Sequence, residues 1–139
     1  MLPSIHDHSL IEYRVNLSDR QVTLITLPEQ ARSQPGMDPV VTVFDGLEGH
    51  HFERVSAGVI FSGIFELPLP AFLLEHQDEF TEGHRLVGAP GWWQGSVSAA
   101  EVYLKSRGAR SFEIESSYGF SGWLLAASVR QSRLDGTPV

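Results

Sequence analysis

Residues 40–69 read VVTVFDGLEGHHFERVSAGVIFSGIFELPL, and they hold the first clear signature of the fold. Three β-rich runs, 40–45, 49–56 and 59–66, are separated by breaks that each contain a glycine. Val, Ile and Phe crowd the runs, as side chains that fit a pleated, half-buried surface do. The third run is apolar on both faces, with Val59, Phe61 and Phe65 on one and Ile60 and Ile64 on the other. That pattern predicts a central strand covered from both sides. The short connections favour antiparallel pairing.

On the N-terminal side, Ile11, Tyr13, Val15 and Leu17 alternate with Glu12, Arg14 and Asn16, which is a strand with one wet face. A polar break at 18–20 leads to a second aliphatic run, 21–27, so the pair predicts a hairpin. Residues 28–39 carry three prolines and the dipeptide Pro35-Gly36 and read as a loop. Beyond Pro68 the period changes. Leu69, Phe72, Leu73, His76 and Phe80 fall at helical spacing, with Pro70 in the first turn. A Gly/Pro-rich segment from Gly83 to Gly95 follows and contains Trp92-Trp93. A second helix is expected from Ser98, where Ser98 and Glu101 have capping-box spacing, Glu101 and Lys105 an i,i+4 pairing, and Gly108 the place of a C′ glycine. Residues 110–117 alternate again, and 120–130 read as a closing strand. The expected fold class is α+β: a mainly antiparallel sheet of about six or seven strands with one or two helices packed on one face. The expected domain is the whole span 1–139, with 1–8 and 131–139 fraying.

Composition narrows the function classes. A chain of 139 residues suits one domain, and 42% hydrophobic against 19% charged residues is the balance of a packed core. The formal net charge of -7, with no run of Lys or Arg, repels phosphate backbones and anionic lipid. Neither a nucleic-acid nor a membrane partner is expected. The absence of cysteine excludes disulfides, thiolate nucleophiles and Cys-ligated zinc. MLPSIHDHSL has neither a basic n-region nor an apolar h-region, and no apolar run reaches the length of a membrane span, so a cytoplasmic protein is expected.

Candidate chemistry centres on Glu48-Gly49-His50-His51-Phe52-Glu53. On a strand, neighbours point to opposite faces, so His50 and His51 cannot both reach one ion. His51 and Glu53 share a face, and with His6 from the N-terminal His6-Asp7-His8 they would make a two-His, one-carboxylate metal set with an open position. The simpler reading is structural, with one histidine half-buried and hydrogen-bonded and the other at the surface. Glu75-His76-Gln77-Asp78-Glu79 has zincin residue types without zincin spacing, since Phe80 follows His76 at i+4, and it reads as an acidic helix face. Gly119-Phe120-Ser121-Gly122-Trp123 misses the nucleophile-elbow pattern by one glycine, and no phosphate-binding glycine loop can be written. Trp92 and Trp93, in a Gly/Pro loop, are the sequence's best candidates for partner-binding anchors.

Several phrases together resemble a family of small bacterial cytoplasmic proteins of unknown function. They are Ile5-His6-Asp7, Val43-Phe44-Asp45-Gly46-Leu47 leading into His50-His51-Phe52-Glu53, Val59-Ile60-Phe61, and Ser116-Ser117-Tyr118-Gly119-Phe120-Ser121-Gly122-Trp123-Leu124. The resemblance spans nearly the whole chain, and the last phrase is its most specific part. It implies a stand-alone single domain and carries over no functional residues. By analogy with small acidic proteins encoded beside toxins, the leading expectation is a non-enzymatic protein-binding module, immunity-like, with another protein as partner and no cofactor. The alternative is a metal-binding protein or metal-dependent hydrolase that uses the His50/His51 region and a divalent ion.

Overall fold

The computed structural model describes residues 2–34 and 36–139, without the side chain of Arg32; Pro35 of the expected turn lies outside this range. In chain order the strands are β1 (Ser9–Asn16), β2 (Gln21–Leu27), β3 (Val40–Asp45), β4 (Gly49–Glu53) and β5 (Ile60–Leu67). Helices α1 (Leu69–Glu75), α2 (Gln77–Val87) and α3 (Val97–Ser106) follow, then β6 (Arg110–Tyr118), β7 (Ser121–Ala126) and β8 (Ser128–Arg133). A short 3-10 turn, Glu29–Arg32, interrupts the loop after β2. The strands form one 8-stranded sheet in the order β4-β7-β6-β5-β1-β2-β3-β8, and each pairing is antiparallel. This is the expected α+β architecture with one strand more. The extra strand arises because the closing segment bends at Ala127 and is divided into β7 and β8.

That bend shapes the sheet. β3 pairs with β8 and β4 pairs with β7, so two long segments, 40–53 and 121–133, run antiparallel to each other along their length. Both bend at the same level. Gly46 has φ +68, and a Cβ there would lie 2.6 Å from the Cβ of Ala127, so only glycine fits the crossing. Across the sheet, β5 meets β1 through the single pair Ser9↔Ile60, extended by Leu10 N–H to the Val59 carbonyl (3.0 Å). The strands therefore roll back on themselves. Val22, Leu24, Phe44, Phe61, Ile64, Phe112, Ile114 and Leu124 fill the inside. Ile5 joins them at 0% exposure, so the N-terminal residues expected to fray are in part anchored in the core. Fully burying side chains of this size is worth roughly 1.5–3 kcal/mol each.

The strand expected to be covered on both sides is covered on one. Register shifts between Ile60 and Gly63 break the alternation of β5, and both Phe61 and Ile64 turn inward. Phe65 is left on the outer face at 44% exposure, its ring over Gly63.

A second core forms where the helices cover the outer face. Leu69, Phe72 and Leu73 of α1, Phe80 of α2, and Ala100 and Leu104 of α3 pack with Trp92, Trp93, Trp123 and Leu125. Helix α2 runs through Gly83 to Val87, beyond the expected break. Its turn needs a glycine at 83 because a Cβ there would stand 2.8 Å from the Ala89 carbonyl oxygen. Helix α3 starts earlier than its sequence suggests. Ser96, in extended conformation, is the N-cap, and its hydroxyl accepts the Ala99 N–H at 3.1 Å. Ser98 thus sits inside the first turn, and Glu101 pairs with Lys105 (3.0 Å), as its spacing predicts. Glu48 fastens the bend: its carboxylate, with the side chain 10% exposed, accepts from Arg20 Nη2 (2.8 Å) and from Arg107 Nε. Among the described residues no helix is long and apolar enough to cross a membrane.

Candidate functional site

The outer face of β4-β7-β6 gathers the titratable groups. Cross-strand pairing sets His51 beside Trp123, Trp123 beside Glu113, and Glu53 beside Ser121. Helix α1 ends above this row. His76 is at once the C-cap of α1 and the N-cap of α2, at φ -102 and ψ 9, so the chain turns a corner there and lays the imidazole on the sheet. Its ring lies 5.8 Å from that of Trp123 and 4.7 Å from that of Phe72. The result is a pocket of about 270 Å³ whose lining includes His51, Glu53, His76, Glu79, Glu113, Glu115, Ser121 and Trp123.

The lining holds four carboxylates and two imidazoles, and no Arg or Lys. Glu75, His76 and Glu113 each place a donor atom within 4.8 Å of the other two; among the described residues this is the one such group of three. His76 Nδ1 meets Glu79 Oε2 at 3.2 Å, while its Nε2 is buried without a hydrogen-bond partner among the described residues. Trp123 Nε1 is buried and unpartnered too. Burial, then the carboxylates of Glu75 and Glu115, hold the Glu113 carboxyl above the usual range, with His76 opposing. Crowded carboxylate oxygens with no Arg or Lys in the lining, one imidazole nitrogen among them, and space at their side are the donor chemistry of a divalent cation.

The residues singled out from sequence fall in different places. His51 and Glu53 line this pocket and bond to each other, Nε2 to Oε1, at 2.9 Å. His50 lies on the opposite face, its ring 5.1 Å from Phe52; burial and then the charge of His51 push its pKa down. His6 does not join them. Its side chain is 69% exposed and pairs with Asp7 at 3.1 Å, while His8 Nδ1 is 2.8 Å from Thr26 Oγ1. The expected set of His51, Glu53 and His6 is therefore not assembled, because His6 precedes β1, which lies beyond β5 and β6 from β7 and β4. Trp92 and Trp93 are 5% and 3% exposed and pack on Phe80 at 4.5 and 6.0 Å, so neither indole is offered to a partner as a surface anchor. The two indoles turn inward into the helical core, while Gly88, Ala89, Gly91, Gln94 and Gly95 around them stay exposed. Ser121 lines the pocket, with its hydroxyl bonded to no histidine among the described residues.

Nothing in the sequence pattern brings Glu75, His76 and Glu113 together as a set. Glu75 and His76 look like part of a solvated helix face, and Glu113 like the wet side of a strand. The usable signal was His76 itself, a polar residue on the apolar stripe of Leu69, Phe72, Leu73 and Phe80. The chain matches no protein-family model, and comparison with curated proteins and with solved structures returns no match.

Proposed function

We propose that the protein binds one divalent metal ion, of the zinc or manganese class, through Glu75, His76 and Glu113. The observation that carries this reading is the convergence of three donor atoms within 4.8 Å beside a pocket that, among the described residues, no Arg or Lys lines. Two carboxylates and one imidazole suit these ions and leave coordination positions open toward the pocket. The His51–Glu53 pair stands across Trp123 from the ligands and belongs to the wall an exogenous ligand of the ion would meet. This keeps the metal-binding expectation but moves its donors from β4 and the N-terminus to the α1–α2 corner and β6.

Calorimetric titration of chelator-treated protein with zinc and with manganese tests it. The expected result is one equivalent of one ion bound, lost in His76→Ala and in Glu75→Gln, and retained in His51→Ala. Absence of binding by both ions, or equal binding by wild type and His76→Ala, removes the proposal.

A further inference from the structure

We propose that two copies of this chain associate by antiparallel pairing of the open edges of β1 around a twofold axis at Tyr13. β1 is paired with β2 along its length except at Ile11, where the register shifts, but its other edge meets β5 only at Ser9↔Ile60 and the adjacent Leu10–Val59 bond. Residues 11–16 are exposed, and on the edge away from β2 no strand among the described residues pairs with them. Natural edges of this kind are commonly blunted by Pro, Lys or a covering segment. This one has neither residue type, and it shows Ile11 and Val15 at 53% and 36% exposure. Such an edge accepts another strand by main-chain hydrogen bonds.

The side chains select a second copy as the occupant. In a twofold antiparallel pair centred on Tyr13, Glu12 faces Arg14 of the other copy, and Arg14 faces Glu12. Val15 comes opposite the bulge at Ile11, so the Glu12–Arg14 pairs set the register. Antiparallel alternation allows a shift only by two residues in the pairing sum. The neighbouring registers place Glu12 against Glu12, or Arg14 against Arg14, and like charges directly opposed are unfavourable. Glu12 and Arg14 lie together on the exposed face of β1, already 2.6 Å apart within one copy, so the two-fold arrangement joins two such pairs into a four-charge cluster.

Sedimentation velocity over a rising concentration series, with salt varied, tests this. The expected result is a reversible dimer that weakens with salt. Glu12→Arg and Arg14→Glu should each shift the species to monomer, and the double variant with both exchanges should restore the dimer. Amide exchange of wild type should slow at residues 12–15 as concentration rises. A monomer at millimolar concentration overturns the proposal. So does a dimer unaffected by either charge reversal, or one whose amide protection appears elsewhere than β1.

Discussion

Replacing Glu113 with Gln should stabilise the metal-free protein and abolish its response to metal. Glu113 has no hydrogen-bond partner among the described residues, and burial with the charges of Glu75 and Glu115 raises its pKa. Its donor atom lies within 4.8 Å of that of Glu75. Two unit charges at that distance repel by about 0.9 kcal/mol in water, and by about 3.5 kcal/mol at an effective dielectric near 20. Glu75 is exposed, so solvent screening places the relief near the lower figure, about 1 kcal/mol. For a chain of this length roughly 1 kcal/mol corresponds to about 3 °C in Tm. Metal separates the two proteins by the size of its effect. At a hundredfold excess over Kd, an ion that binds only the folded state adds about 2.7 kcal/mol to wild type, or roughly 9 °C. The variant, lacking one of three donors and the charge that draws the ion, should gain little. Differential scanning calorimetry of both chelator-treated proteins, with and without zinc or manganese, measures all four values. A variant that melts below wild type without metal, yet keeps the full metal-induced shift, refutes the reasoning, because Glu113 would then be a structural residue and no ligand.

Gly122→Ala should unfold the β4 edge. The new Cβ would stand 2.2 Å from the His51 carbonyl oxygen and 3.0 Å from Phe52 Cα, both backbone atoms, so about 3 kcal/mol is expected in urea unfolding, whereas Gly91→Ala, which meets nothing within 4 Å, should stay within about 0.5 kcal/mol of wild type. Glu48→Gln should lower the urea midpoint more than Arg107→Gln does, because Arg20 still holds Glu48 when Arg107 is gone; equal midpoints would show that the carboxylate joins nothing. For His8, burial pushes the imidazole pKa down against the opposing charge of Asp7, so the unfolded chain binds the proton more readily. Stability should therefore be complete above the ordinary imidazole value and fall as pH drops from about 7 toward 5, and His8→Gln should flatten that slope while His50, shifted in the same direction, supplies the remainder; an unchanged slope would show that His8 contributes nothing.

Most of the sheet is legible because its strands obey local rules. Val22 and Leu24 of β2, Phe44 of β3, and Phe112 and Ile114 of β6 point inward with the expected period of two. The failures occur where tertiary structure overrides the local pattern. The bulge in β5 turns Phe61 and Ile64 to the same side, which alternation alone does not reveal. The two tryptophans of the Gly/Pro loop look available because loops lie at surfaces, yet Phe80 and Trp123 give them a surface to cover. Half of the candidate pocket was visible, as His51 and Glu53 share a strand face two residues apart. The other half joins a helix corner at 75–76 to a strand at 113, and a separation of this length is set by how α1 packs on β7 and β6, not by spacing in the chain.

β7 connects the fold to the site. Leu124 and Ala126 enter the rolled sheet, while Trp123 and Leu125 enter the helical core, so β7 is buried on both faces. Trp123 is the last cross-strand neighbour on the outer face before the helical cover gives way to the pocket; His51 stacks on it at 6.2 Å and Phe72 meets it edge-on at 5.3 Å. A ligand held by Glu75, His76 and Glu113 would therefore tie the corner between α1 and α2 directly to β6, across the same indole that seats the helices. Occupancy of the site and docking of the helices on the sheet would then share one free energy. This gives a reason for a buried His76 Nε2 and a crowded Glu113, each costly for an empty protein, to stand at the edge of an otherwise apolar core.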